Sequence, residues 1–288
     1  MKKLFITAAA LALAACSTVP DAPKTAQVSL NFAAQINGQP FACGQRYDGV
    51  GTTRSSITPS DFRMYVSEVK LLRQDGSAVP VQLTQDGMWQ HQNVALIDFE
   101  NGTGPCRNGT TATNTAVRGQ VPAGDYVGVE LTVGVPFALN HQDPTIAPSP
   151  MNSTAMFWNW QGGYKFIKFD TASTGISPQK PAAANVVGPV TGYSVHLGST
   201  VCAAPGRTQA PTSCQNPNRI AVRFDWFDHA SNVIVADMGA VLAQANVDVN
   251  APGSAAGCMS SPDDADCPPI MKALGLAPQS KQKFLNQR

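Results

Sequence analysis

The chain has 288 residues, of which 43% are hydrophobic, 14% charged and 7% aromatic, with a formal net charge of +1. This apolar content excludes intrinsic disorder and supports a sizeable core in one large or two small domains. A near-neutral balance lacks the basic stripe of a nucleic-acid binder, so no nucleic-acid partner is expected.

Met1-Lys2-Lys3 opens the chain, followed by an apolar run over residues 4–12 and then Leu13-Ala14-Ala15-Cys16. A basic head, an apolar segment and small residues before a cut make residues 1–15 a secretory signal. Leu-Ala-Ala-Cys resembles the bacterial lipoprotein box, in which Cys16 becomes the lipid-modified amino terminus and anchors the mature chain to a membrane. An ordinary signal peptide that contains a cysteine is the alternative. Ser17 in place of Asp resembles lipoproteins sent to the outer membrane, facing the periplasm or the cell surface. Loss of Lys2 and Lys3 takes the net charge to −1. Residues 16–25 read as a flexible tether and residues 26–288 as the folded domain. No later apolar stretch reaches the roughly 18 residues of a membrane span.

Strand signals then dominate. Val28, Leu30 and Phe32 alternate with polar neighbours, and Asn37-Gly38 follows as a hairpin dipeptide. Val127 to Val133 and Ile220 to Trp226 alternate in the same way, and weaker runs cover 64–72, 79–83, 93–99, 164–169 and 193–197. Frequent glycine (24) and proline (22) punctuate them. The expected fold is all-β, an antiparallel β-sandwich with long loops and little helix. Helical turns are expected near 236–244 and 270–274, and a Ser-, Pro- and Ala-rich loop over 171–189.

Seven cysteines minus Cys16 leave Cys43, Cys106, Cys202, Cys214, Cys258 and Cys267. In an exported chain an even number implies disulfides, here three, with fifteen formal connectivities. Local pairing favours Cys202–Cys214 and Cys258–Cys267, leaving Cys43–Cys106. The second of these closes a C-terminal extension, about 248–288. No C-x-x-C occurs, which argues against a thiolate metal site and a covalent haem.

Standard catalytic signatures are missing, so the chain reads as a binding protein rather than an enzyme. Asp98 and Glu100 share a strand face, either as an acid/base pair or, in the simpler reading, as solvated carboxylates at a strand end. Asp263, Asp264 and Asp266 read as a solvated turn before they read as a calcium loop. Arg63 and Lys165 read as surface or loop contacts. Histidine is scarce: His91, His141, His196 and His229. Imidazole suits copper, zinc, nickel and iron. His229 sits in a turn signal, whereas His141 and His196 are candidate ligands.

Several ordered blocks resemble the MbnP-like copper-binding family, also called the metallo-mystery pair four-cysteine proteins. They are Asp61-Phe62-Arg63-Met64-Tyr65-Val66-Ser67, residues 93–100, Gly134-Val135-Pro136-Phe137 running into Leu139-Asn140-His141, residues 155–166, His196-Leu197-Gly198-Ser199-Thr200 and Asn218-Arg219. The resemblance spans about residues 28–247. It implies that Cys43, Cys106, Cys202 and Cys214 are the family's four cysteines, with Cys258 and Cys267 an additional pair. It also implies a copper cofactor and a separate di-haem partner of the cytochrome c peroxidase type, which oxidises a tryptophan to kynurenine. Trp89-Gln90-His91 resembles the Trp-x-His pattern of related copper proteins, which makes His91 a ligand alongside His141 or His196. Trp158 and Trp160 are rival oxidation sites, and Met156 is a candidate soft ligand. The expected function is an exported, lipid-anchored copper-binding protein. A mononuclear metal enzyme and a metal-free structural lipoprotein are the alternatives.

Overall fold

A computed structural model describes residues 24–159, 161–173, 192–206, 209–252 and 254–288. The signal segment, Cys16, nearly all of the tether, Trp160 and residues 174–189 of the expected loop lie outside the described residues. Thr25 is already paired with Pro122, and Thr171–Ser173 belong to a strand.

The 18-residue strand Ser55–Leu72 is the spine. Along one edge it pairs with Ile167–Ser173 and then Gly128–Val133; along the other with Tyr47–Val50, Val94–Asp98 and Ala78–Pro80. Ile220–Phe224 and Tyr193–Leu197 extend this large sheet outward. A second sheet runs in the order Leu285–Gln287, Val233–Asp237, Thr25–Ile36, Ala116–Pro122, Gln82–Leu83. The alternating residues Val28, Leu30 and Phe32 turn into the core between the sheets, as a half-buried strand requires. Asn37 and Gly38 take the positive φ angles of 51° and 77° that the hairpin needs.

The fold is therefore the expected all-β sandwich, with two departures in detail. Thr25–Ile36 runs parallel to Val233–Asp237, and Tyr193–Leu197 runs parallel to Gly257–Cys258. Neither pair is joined by a hairpin, so chain direction is free to be parallel. Trp226, expected to face inward, is 73% exposed because its strand ends at Phe224; Phe227 is buried instead and stacks on Phe224. The helices are short: Phe137–Asn140, Met238–Leu242 and Cys267–Ala273. The second starts two residues later than the sequence suggests, because Ala236 and Asp237 complete a strand and Asp237 then caps the helix. No helix among the described residues is long and apolar enough to cross a membrane. The disulfides are Cys43–Cys106, Cys202–Cys214 and Cys258–Cys267.

Both faces of the spine are buried near its middle. The excursion between Gly134 and Phe166 covers the outer face: the Tyr65 hydroxyl donates to Pro150 O, and its ring meets Tyr164 edge-on at 5.6 Å. This excursion carries His141, Met156 and Trp158.

Candidate metal centre

His141 follows the single helical turn Phe137–Asn140, which Pro136 starts by accepting from Leu139 and Asn140 N–H. At His141 the backbone leaves the helix (φ −118°, ψ 22°), and the ring turns inward to 6% residue exposure. The orientation of Asn140 then fixes the chemistry of the imidazole. The Tyr164 backbone N–H donates to Asn140 Oδ1 at 2.9 Å, so the other end of the amide is the NH2 group. That Nδ2 lies 3.1 Å from His141 Nε2 and 3.3 Å from Ser199 Oγ. An amide that donates to Nε2 requires an unprotonated nitrogen, so the neutral ring carries its proton on Nδ1. Nε2 is thus held in the state a metal ligand needs.

Trp158 belongs to the same neighbourhood. A Cβ at Gly198 would lie 2.5 Å from its ring, so the indole packs directly on the glycine backbone, one residue before Ser199. Gly163 approaches Asn140 just as closely: a Cβ there would stand 2.4 Å from Asn140 O. The ring of Phe137 lies 5.0 Å from that of His141, and Cys214 Sγ lies 3.6 Å from His141 Nε2.

His196 occupies a different setting. It faces Lys168 across the strand pair, on the side opposite Val195 and Leu197, and its Nε2–H donates to Asp170 Oδ1 at 2.7 Å. Lys168 Nζ bonds both Asp170, at 2.7 Å, and Asp61. Asp61 in turn forks onto the Arg63 guanidinium, and Glu100 lies 4.0 Å beyond. Burial raises the Asp170 carboxyl, but the hydrogen bond from His196 and the charges of His196 and Lys168 hold it far below the usual carboxylate range. Asp98 behaves oppositely: burial and the charge of Glu100 outweigh Arg63 and push it up to about 8.

Three sequence readings are corrected here. Asp98 and Glu100 are not solvated: they are 2% and 0% exposed. Glu100 accepts from the Gly102 and Thr110 backbone N–H groups and so shapes the loop stapled by Cys43–Cys106. Arg63 is no surface contact at 3% exposure, since three carboxylates surround it. Asp264 is buried and accepts from the Met259 and Asp266 N–H groups, so that turn is organised by its carboxylates rather than merely solvated. Lys165 does make the expected loop contact, donating to Ala155 O.

His91 is half-buried at the tight turn between Gln90–His91 and Val94–Asp98, with its Nε2 3.3 Å from Gln92 Nε2. Trp89 lines a cavity of 240 Å³ with Arg63, Asp98 and Ser149. Met156 is fully buried in the hydrophobic core, and His229 lies in a turn.

Among the described residues, two sets of three donor atoms lie within 4.8 Å of one another: His141 with Cys202 and Cys214, and Glu100 with Cys43 and Cys106. Both contain a disulfide, whose sulfurs are not the thiolates that bind metals. His91, His141 and His196 do not form a third such set. The donors that suit copper are therefore imidazole nitrogens: His141 Nε2 and, in the neutral ring, His196 Nδ1. The carboxylate on the other nitrogen of His196 is the usual support for a ligating histidine. Sequence reasoning missed Asn140, because nothing local ties its amide to Tyr164, 24 positions away.

The model of the MbnP family matches residues 25–260. The solved structure of MbnP from Methylosinus trichosporium is similar to this chain with a TM-score of 0.80 and 30% identity, over 92% of this chain and 98% of that one. No curated protein gives a match.

Proposed function

This chain belongs to the MbnP family, and from that premise we propose that it is an extracytoplasmic copper-binding protein whose metal is anchored by His141. The observation that carries this reading is the buried His141 ring, with Asn140 keeping Nε2 unprotonated. Copper supplies a cation that imidazoles bind well. The chain's own residues orient the ring, bury it and pack Phe137 against it. His196 is the second ligand in this reading, offering Nδ1 while Asp170 steadies its other nitrogen; His91 is the third candidate.

The finer parts of the proposal follow the family resemblance. A di-haem peroxidase partner oxidises one tryptophan to kynurenine, with Trp158 favoured by its contact with Gly198 and with Trp89 and Trp160 the rivals. Cys16 carries a lipid anchor in the outer membrane. The protein handles copper and is not itself an enzyme.

Copper stoichiometry of the oxidised chain tests the reading. About one copper per chain is expected, as for a single group of imidazoles. The joint His141→Ala, His196→Ala variant is expected to bind none, and unchanged stoichiometry there would reject the assignment. Intact-mass analysis of native protein checks the maturation step, since kynurenine adds about 4 Da to the encoded chain.

A further inference from the structure

We propose that the free edge of strand Ile220–Phe224 docks an extended, acidic segment of a partner protein, which joins the large sheet as one more strand. Ile220–Phe224 ends that sheet: it pairs with Gly128–Val133 on one side and with no described strand on the other. Its free side borders a cleft of 510 Å³, lined by residues 220–223 and, across from them, residues 274–276 and 280–282. Successive side chains of a strand point to opposite faces, so a cleft bordered by four neighbours runs along the strand edge. In an antiparallel pair, alternate residues turn their N–H and C=O groups away from the partner strand. Among the described residues no hydrogen bond joins residues 220–224 to the facing wall. The edge is thus an open row of donors and acceptors.

The facing wall is built without help from that strand. The Cys258–Cys267 bond fastens the start of helix Cys267–Ala273, and Ile270 and Leu274 are fully buried. The Lys283 N–H then donates to Ala273 O at 2.8 Å, closing the loop between them. Gly275 turns this loop at a φ of +77°, and a Cβ there would stand 2.7 Å from Gln282 N. The wall therefore holds its shape without bonding the strand. A second copy of this chain fits the cleft worse than a free segment does. Its own edge strand is flanked by the same wall and cannot lie flush against another.

Two features define the occupant. Ile220 and Val222 are buried while Ala221 and Arg223 are exposed, so an added strand meets an apolar face and a polar one. Residues 270–283 carry Lys272, Lys281 and Lys283, all exposed, and no Asp or Glu. Arg219 is paired with Glu68, and Arg223 with Glu130 and Asp225, but Lys281 has no ion pair among the described residues. Among the described residues no carboxylate lines the cleft. The matching segment alternates apolar and acidic side chains over about five residues, a strand length of about 17 Å. Main-chain bonds supply affinity, and the lysines choose among segments.

This docking uses none of the residues assigned to copper, so its failure leaves that reading untouched, and the reverse holds. The probe is the peptide acetyl-Glu-Val-Glu-Val-Glu-Val-amide, titrated calorimetrically into the full oxidised chain. Its rivals are the peptide with Lys for Glu and two versions N-methylated at alternate residues, one at Glu and one at Val. The expected result is saturable binding of the probe, with the lysine peptide about tenfold weaker. At least one N-methylated version is expected to bind about tenfold more weakly, because it loses main-chain donors. Amide hydrogen exchange within residues 220–224 is expected to slow about tenfold when the peptide is bound. Lys281→Glu is expected to weaken binding about fivefold, and Lys281→Arg to leave it unchanged. The proposal is overturned if the probe does not bind, if the lysine peptide or both N-methylated versions bind equally well, or if protection falls only on other strands. A dimer whose edge amides are already protected without peptide would give the edge to a second copy and overturn it too.

Discussion

His141 and His196 have surroundings opposite in kind. Around His141 the identified neighbours are an amide, an aromatic ring and a disulfide. Around His196 they are charges: Asp170, then Lys168, Asp61 and Arg63 in series. The first environment sets the ring by hydrogen-bond direction, with Nε2 facing the Asn140 amide. The second spends one nitrogen on a carboxylate and ties the ring into the sheet. A chain that needs one imidazole ready for metal and another rigidly supported has a physical reason to keep both settings.

The charged region is expected to respond most strongly to perturbation. Arg63→Met leaves Glu100 buried without its cation and Asp61 with Lys168 alone. Breaking such a network costs about 3–5 kcal/mol, to be read as a loss in urea unfolding. Should stability change by less than about 1 kcal/mol, a surface-like value, the charged row is not the buried network described here.

The amide-lined region is expected to respond less in stability and more in metal binding. Asn140→Ala removes the acceptor for the buried Tyr164 N–H, at about 1–3 kcal/mol. It also frees the His141 ring, and copper affinity is expected to fall about 10–100-fold, as for loss of an orienting partner. Gly163→Ala drives a Cβ into the Asn140 backbone at a φ of +71° and is expected to lower both quantities in the same direction. Denaturation together with copper titration of the two variants checks this. Normal copper affinity in a destabilised Asn140→Ala chain would separate the amide from the site.

A pH series separates the two regions more finely. The Asp98 carboxyl is raised from 3.8 to about 8 by burial and Glu100, so the folded chain keeps a proton there that the unfolded chain releases. Its stabilisation is complete below about pH 4 and is lost as pH rises through about 8, with a slope of at most about 1.4 kcal/mol per unit. Asp170 is shifted downward, so its contribution is present above pH 3.8 and is lost as the solution becomes more acid. Asp98→Asn is expected to flatten the decline between pH 4 and 8 in urea midpoints; an unchanged slope would contradict the assignment. The smallest effect is expected from His196→Gln, about 1 kcal/mol or less, because Lys168 still neutralises Asp170.

Much of this was legible in the sequence. Alternation located the strands around Val28, Val129 and Val222, and cysteine spacing gave the disulfides. The charged row was not legible, because it arises from register. Asp61 lies opposite Asp170 and Arg63 opposite Lys168, so like charges face each other and are reconciled only diagonally, through Lys168 to Asp61. No local pattern encodes that pairing between segments more than 100 residues apart. The His141 site was legible as a histidine after a strand, but its poise depends on Tyr164 holding the Asn140 amide.

Electron paramagnetic resonance of the oxidised, Cu(II)-loaded chain puts the anchoring role of His141 to the most direct trial. Nitrogen hyperfine coupling in wild type should disappear together with bound copper in His141→Ala, while Asn140→Ala retains it at reduced affinity. A His141→Ala chain that binds copper as tightly as wild type, with the same nitrogen coupling, would contradict it.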